Sequence, residues 1–197
     1  MTDTVIAKHQ LESQGKNNFG FWIYIMTDCI LFATLFATYA VLNRATAGGP
    51  GAKELFSLPF VLAETMILLT SSFTCGLAVL SAKNGNKKQL IYWLIITFLL
   101  GLAFISMEIY EFNQLIYEGH NWTKSAFLSA YFVLVGTHGL HIITGLTWIA
   151  VLTKKITKSG LTTKTSGSLA MLGIFWHFLD IVWIFIFSFV YLIGASL

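Results

Sequence analysis

Eight residues in this sequence carry side chains able to move a proton or ligate a metal while lying in apolar surroundings. They are Asp28, Glu64, Glu108, Glu111, His138, His141, His177 and Asp180. Six of them form three pairs at i, i+3: Glu108 with Glu111, His138 with His141, and His177 with Asp180. On a helix that spacing places both members on one side. Several chemistries fit such a set. Carboxylate and imidazole pairs on facing helices supply the ligands of a di-metal carboxylate bundle. Two histidines at similar depth on facing helices supply the axial ligands of a haem, as in a membrane b-type cytochrome using His138, His141 and His177. Asp28, Glu64 and Asp180 would suit a proton-coupled carrier, although no inverted repeat or Gly/Pro-broken helix pair is evident. The plainest reading is interhelical hydrogen bonding, with Gly136, Gly139 and Gly145 letting helices approach closely.

The elements that must position these groups are membrane spans. Of 197 residues, 56% are hydrophobic and 11% charged, where an average soluble domain has about 25% charged. Mean hydropathy is +0.73. The expected architecture is all-α: one integral membrane bundle of five transmembrane helices, at about 19–42, 58–82, 90–117, 126–153 and 169–193, following a polar tail at 1–18. That tail reads as a flexible or surface-lying arm, with no cleaved signal peptide. The tail and the loops after spans two and four hold nine of the twelve lysines and arginines. The positive-inside rule therefore puts the N-terminus in the cytoplasm and the C-terminus in the periplasm. Cys29 and Cys75 read as small buried apolar residues. No P-loop, dinucleotide fingerprint, CxxC or nucleophile elbow is present, which removes the soluble-enzyme classes.

At 1.5 Å per residue, Asp28, His177 and Asp180 fall on the cytoplasmic side of the midplane. There they form an inner cluster that His141 is able to join. Glu64, Glu108 and Glu111 fall on the outer side, where Tyr110, Tyr131 or His138 would meet them. Trp176, His177, Asp180 and Trp183 are expected on one stripe of the last span, with Asp180 pinning His177 or another partner. An aspartate at the centre of a span costs about 2.5–3.5 kcal/mol on insertion scales, so this stripe should face protein.

Four motifs, in order, resemble one family. WHFLDIVWIFIF (176–187) looks like the last-helix signature of subunit III of the haem-copper terminal oxidases. GTHGLHIITG (136–145) is similar to its HGxH helix, GLAFISMEIYEF (101–112) to its GxxFxxxQxxEY pattern, and TDCILFATLFATY (27–39) to its SExxFFxxFFxxY pattern. Asp28 replaces a glutamate common in that family, and Glu108 a glutamine. With five spans in place of seven and the wording of MEIYEF and FLSAYF, the chain most resembles the five-helix branch of bacterial bo-type ubiquinol oxidases; a cytochrome c oxidase subunit is the neighbouring alternative. The resemblance implies a multi-pass inner-membrane subunit without catalytic, cofactor-binding or metal-binding residues of its own. It also implies haem and copper in subunit I, partner subunits I, II and IV, and bound membrane phospholipid. The eight buried polar residues then become lipid-binding or proton-linked candidates.

Overall fold

The computed structural model describes residues 2–49, 51, 55 and 57–196. Five long helices account for most of them: α1 (Thr2–Leu42), α2 (Leu58–Lys83), α3 (Lys87–Tyr117), α4 (Ala126–Ser159) and α5 (Thr163–Ile186). The last continues into a π-helical stretch, Phe187–Leu192, and a final turn, α6 (Ile193–Ser196). Each of the five contains a segment long and apolar enough to cross a bilayer.

The helix ends follow local chemistry. Pro59 lies in the first turn of α2, where its fixed φ suits a helix start and its missing N–H is no loss. The turn into α3 needs Gly85 at φ +69°, and Asn86 then caps α3 by accepting from the Gln89 backbone N–H at 3.3 Å. Ser125 caps α4 in the same way through Leu128. Thr162 and Thr165 form a reciprocal capping box at the start of α5. Residues 2–18, expected as a flexible or surface-lying arm, instead extend the first span as one helix. That stretch contains no proline, and its Lys, Gln, Glu and Ala residues are good helix formers, so nothing breaks the helix before the span.

The four helices α2, α3, α4 and α5 form a closed ring in that order, with α2 completing it against α5. The helix α1 lies outside the ring, against α4 and α5. Two tryptophans of α5 fill the ring's axis. The indole of Trp176 is wedged between α3 and α4 so tightly that a Cβ at Gly101 would meet it at 3.1 Å and one at Gly145 at 2.8 Å. Trp183 packs edge-on against Phe104 of α3 at 4.7 Å. Inside a bilayer, where lipid is as apolar as leucine, contacts of this kind hold helices together in place of the hydrophobic effect.

Candidate functional site

The indole N–H groups of the two axial tryptophans both end on hydroxyls of α2. Trp176 donates to Ser71 Oγ at 3.2 Å, and Ser71 donates onward to the Thr97 carbonyl of α3 at 3.2 Å. Trp183 donates to Thr65 Oγ1 at 3.1 Å, and Thr65 bonds its own helix at Val61 O. A third contact, Thr74 to Thr97 at 2.8 Å, joins α2 and α3 directly. These hydroxyls satisfy the donors that tryptophan carries into the core.

Beyond Trp183 lies a chamber of carboxyls. Glu64 of α2 and Glu108 and Glu111 of α3 are buried within electrostatic range of one another. Tyr191, in the π-helical stretch, donates to Glu111 Oε2 at 3.1 Å. The Tyr131 and Tyr191 hydroxyls stand 3.0 Å apart. Gly139 of α4 makes room for Glu108, since a Cβ there would lie 2.6 Å from Oε1. Both oxygens of Glu64, Oε2 of Glu108 and both ring nitrogens of His138 are buried without a hydrogen-bond partner. Such groups retain capacity for water or a shared proton. Tyr110, expected here, is 61% exposed and packs against Phe60. It sits next to Glu111 in sequence, about 100° round the helix.

The expected inner cluster divides into two pairs. On one side, His141 of α4 donates from Nδ1 to the Thr137 carbonyl at 2.7 Å. Its Nε2 then faces Asp28 Oδ2 of α1 at 3.6 Å. A neutral imidazole bonded in that way presents a lone pair toward the carboxyl, at a separation longer than a hydrogen bond. On the other side, His177 Nδ1 is 2.6 Å from Ser72 Oγ of α2 and 3.8 Å from Asp180 Oδ2. Trp176, Asp180 and Trp183 face inward as expected, but His177 does not; its side chain is 48% exposed. Asp180 is buried with neither oxygen hydrogen-bonded. Cys75 is buried, whereas Cys29 faces outward.

This placement bears on the ligand readings. The His138 ring is enclosed by Trp183, Phe104 and Phe32, at centroid distances of 5.2, 5.9 and 6.4 Å. His177 lies on the outer surface with Nδ1 already engaged. The two do not face one another across a gap fit for a porphyrin. Among the described residues, no three His, Cys, Asp or Glu side chains are arranged to hold a metal ion. The eight residues thus occupy three places: the outer chamber, the Asp28–His141 pair and the Ser72–His177–Asp180 group. The hydroxyl partners Ser71, Ser72, Thr65 and Thr97, together with Tyr191, were not among the candidates read from sequence. A tyrosine alone in the apolar run FVYLIG was the one signal for Tyr191.

Comparison with known proteins identifies the fold's relatives. The family described as cytochrome c oxidase subunit III matches residues 1–195. The chain belongs to that family. A Pseudomonas aeruginosa protein named cytochrome bo(3) ubiquinol oxidase subunit 3 is 58% identical over 95% of this chain and 90% of its own length. A Bacillus sp. (strain PS3) protein named cytochrome c oxidase subunit 3 is 48% identical over 92% and 88%. The quinol oxidase subunit 3 of Bacillus subtilis is 46% identical over 96% and 93%. The chain is therefore an accessory subunit of a haem-copper oxidase, one component of a multi-subunit oxidoreductase, and a multi-pass bacterial membrane protein. The relatives' names divide between quinol and cytochrome c, so electron-donor choice does not follow from membership of the family.

Proposed function

We propose that the chain is the cofactor-free, non-catalytic subunit III of a proton-pumping terminal ubiquinol oxidase in a bacterial inner membrane. In this reading it packs against the haem-copper subunit I, in a complex with subunits II and IV. It holds phospholipid and supports assembly and sustained proton uptake. Its N-terminus is cytoplasmic and its C-terminus periplasmic. The observation that carries the reading is the 58% identity with the Pseudomonas ubiquinol oxidase subunit, running almost end to end.

The geometry supports an accessory role. Polar side chains are spent on joining helices: Trp176 to Ser71, Trp183 to Thr65, Thr74 to Thr97, and Tyr191 to Glu111. The Asp28–His141 pair, a buried carboxyl 3.6 Å from an imidazole, is the proton-linked candidate in this reading. Haem and copper chemistry belongs to subunit I in this reading.

The test is purification in mild detergent, with visible spectra of the complex and of the separated chain. Haem in the complex and none in the separated chain is expected; haem retained by the separated chain refutes a cofactor-free subunit. Asp28→Asn should assemble fully and lose activity faster during turnover, and unchanged activity would remove its proton-linked role. One specific observation favours a second reading, subunit III of a cytochrome c oxidase: the 48% identity with the Bacillus PS3 protein. Oxygen uptake by the purified complex with ubiquinol or with reduced cytochrome c decides between the two donors.

A further inference from the structure

The bilayer-facing surface of this bundle carries many hydroxyls, and most of them are satisfied within their own helix. Thr34, Thr38, Thr70, Ser106, Thr144, Thr147 and Ser188 each donate to a carbonyl three or four residues earlier. Such side chains face lipid without need of a partner. His177 differs from them. Away from the lysine-bearing span ends, it is the one imidazole, carboxyl or amine among the described residues with a half-exposed side chain.

Its depth matters as much as its exposure. His177 lies well inside the span Thr163–Leu192, and Ser72 well inside Leu58–Lys83. Water and lipid head groups are absent at that level, and a polar group there requires a protein partner. Ser72 engages one side of the ring. Its hydroxyl makes no bond to its own helix and sits 2.6 Å from His177 Nδ1. That contact occupies Nδ1 whichever of the two atoms donates. No described contact involves Nε2, so one ring nitrogen, able to donate or to accept, projects from the bundle surface within the apolar span. The neighbouring surface is low. Gly76, one turn after Ser72 on α2, has nothing within 4 Å of where a Cβ would stand. Ser72 and Gly76 are thus a small-xxx-small pair beside the ring, which lets a helix backbone approach closely.

We propose that the α2–α5 face centred on His177, Ser72 and Gly76 is the docking surface for a transmembrane helix of another subunit. That helix presents a hydrogen-bonding group to His177 Nε2 within the apolar span. The inference rests on the reading of this chain as one subunit of a larger oxidase, and it names which side of the chain the neighbour covers.

The experiment places a benzophenone amino acid at Ile174 or Ile181, both exposed on α5 about one turn either side of His177, and at Leu99 on α3 or Val151 on α4 as contrasts. Membranes expressing the whole complex are illuminated, and adducts are identified by mass. Several-fold more adduct with another subunit from positions 174 and 181 than from 99 and 151 is the expected result. In parallel, His177→Leu should lower the amount of chain retained with the complex in mild detergent at least tenfold, and His177→Gln, which keeps a group able to donate and accept, should restore most of it. A complex that purifies intact but gives subunit adducts only from 99 or 151 overturns the docking face and leaves the oxidase reading standing. Adducts at 174 and 181 solely with lipid, a quinone or a second copy of this chain also overturn it. Failure of the unmodified chain to purify with any other subunit removes both readings.

Discussion

A single methyl group at Gly145 tests whether the axial tryptophan sets the spacing of the ring. A Cβ there would lie 2.8 Å from Cζ3 and 3.0 Å from Cε3 of Trp176, and 3.2 Å from Cε1 of Phe175. Carbon atoms in ordinary contact stand about 3.5–4.0 Å apart, so the indole must retreat by roughly 0.7 Å or more. It has little room for that. Its far edge already lies close to α3, where a Cβ at Gly101 would meet it at 3.1 Å, and its N–H is held by Ser71. Overpacking of this kind costs about 1–3 kcal/mol. Alanine regains up to about 1 kcal/mol over glycine within a helix, leaving a net loss of about 0–2 kcal/mol. Gly167 supplies the reference, because a Cβ there meets nothing within 4 Å. Gly167→Ala should be neutral or gain up to about 1 kcal/mol. Reversible unfolding in mixed SDS–detergent micelles, followed by circular dichroism, reads both. Trp176→Phe removes the clashing benzo-ring atoms, so Gly145→Ala made in that background should cost nothing further. The double-mutant cycle should then show a favourable coupling of about 1–3 kcal/mol, the size of the clash relieved. Equal behaviour of Gly145→Ala and Gly167→Ala, or strict additivity with Trp176→Phe, refutes the wedge.

Three further outcomes are expected. A cycle between Trp183→Phe and Thr65→Val should give a coupling of about 0.6 kcal/mol in the same unfolding assay, the average for a hydrogen bond between membrane helices; no coupling would mean that the 3.1 Å contact is not a stabilising bond. Tyr191→Phe removes the donor to Glu111 and should destabilise by about 0.5–1.5 kcal/mol, whereas in a Glu111→Gln background the same change should cost measurably less. Asp180→Leu should be close to neutral for folding, because the carboxyl it removes has no hydrogen bond and His177 keeps Ser72; removing an unsatisfied buried group costs little or stabilises. Melting curves of the purified complex check this last outcome, and a loss above about 2 kcal/mol would show that Asp180 pins the bundle after all.

The spans were legible because a bilayer demands long apolar helices, and hydropathy reports them directly. The stripe on α5 was legible in part. Trp176, Asp180 and Trp183 lie within about 60° of one another on a helical wheel, with Trp176 between the other two, while His177 follows Trp176 by about 100°. That step carries it from the axis to the surface. The same step separates Tyr110 from Glu111. The partners of the tryptophans were not legible. Ser71 and Thr65 look no different in sequence from Thr34 or Thr144, which bond only their own helices, and the choice depends on which face the packing turns inward. The division of Asp28 and His177 into separate pairs was hidden for a related reason. Depth follows from counting residues, but the position of α1 outside the ring does not.

The π-helical stretch at Phe187–Leu192 has a bearing on how the gene can change length. A π-turn, with its i→i+5 bonding, accommodates one residue more than the α-helical turn it interrupts. Here the extra residue brings Tyr191 round to Glu111 and Tyr131. Deleting any one residue between Phe187 and Val190 would let the helix relax to regular α geometry. Side chains after the deletion would then keep roughly their present facing, and the chamber its tyrosine. Deleting one residue earlier in α5, between Trp176 and Trp183, has no such slack to draw on. Trp183 and everything beyond it would swing by about 100°, and the axis would lose its second indole. Length variation in this last span should therefore be confined to the segment after Ile186, where the backbone already holds one residue in reserve.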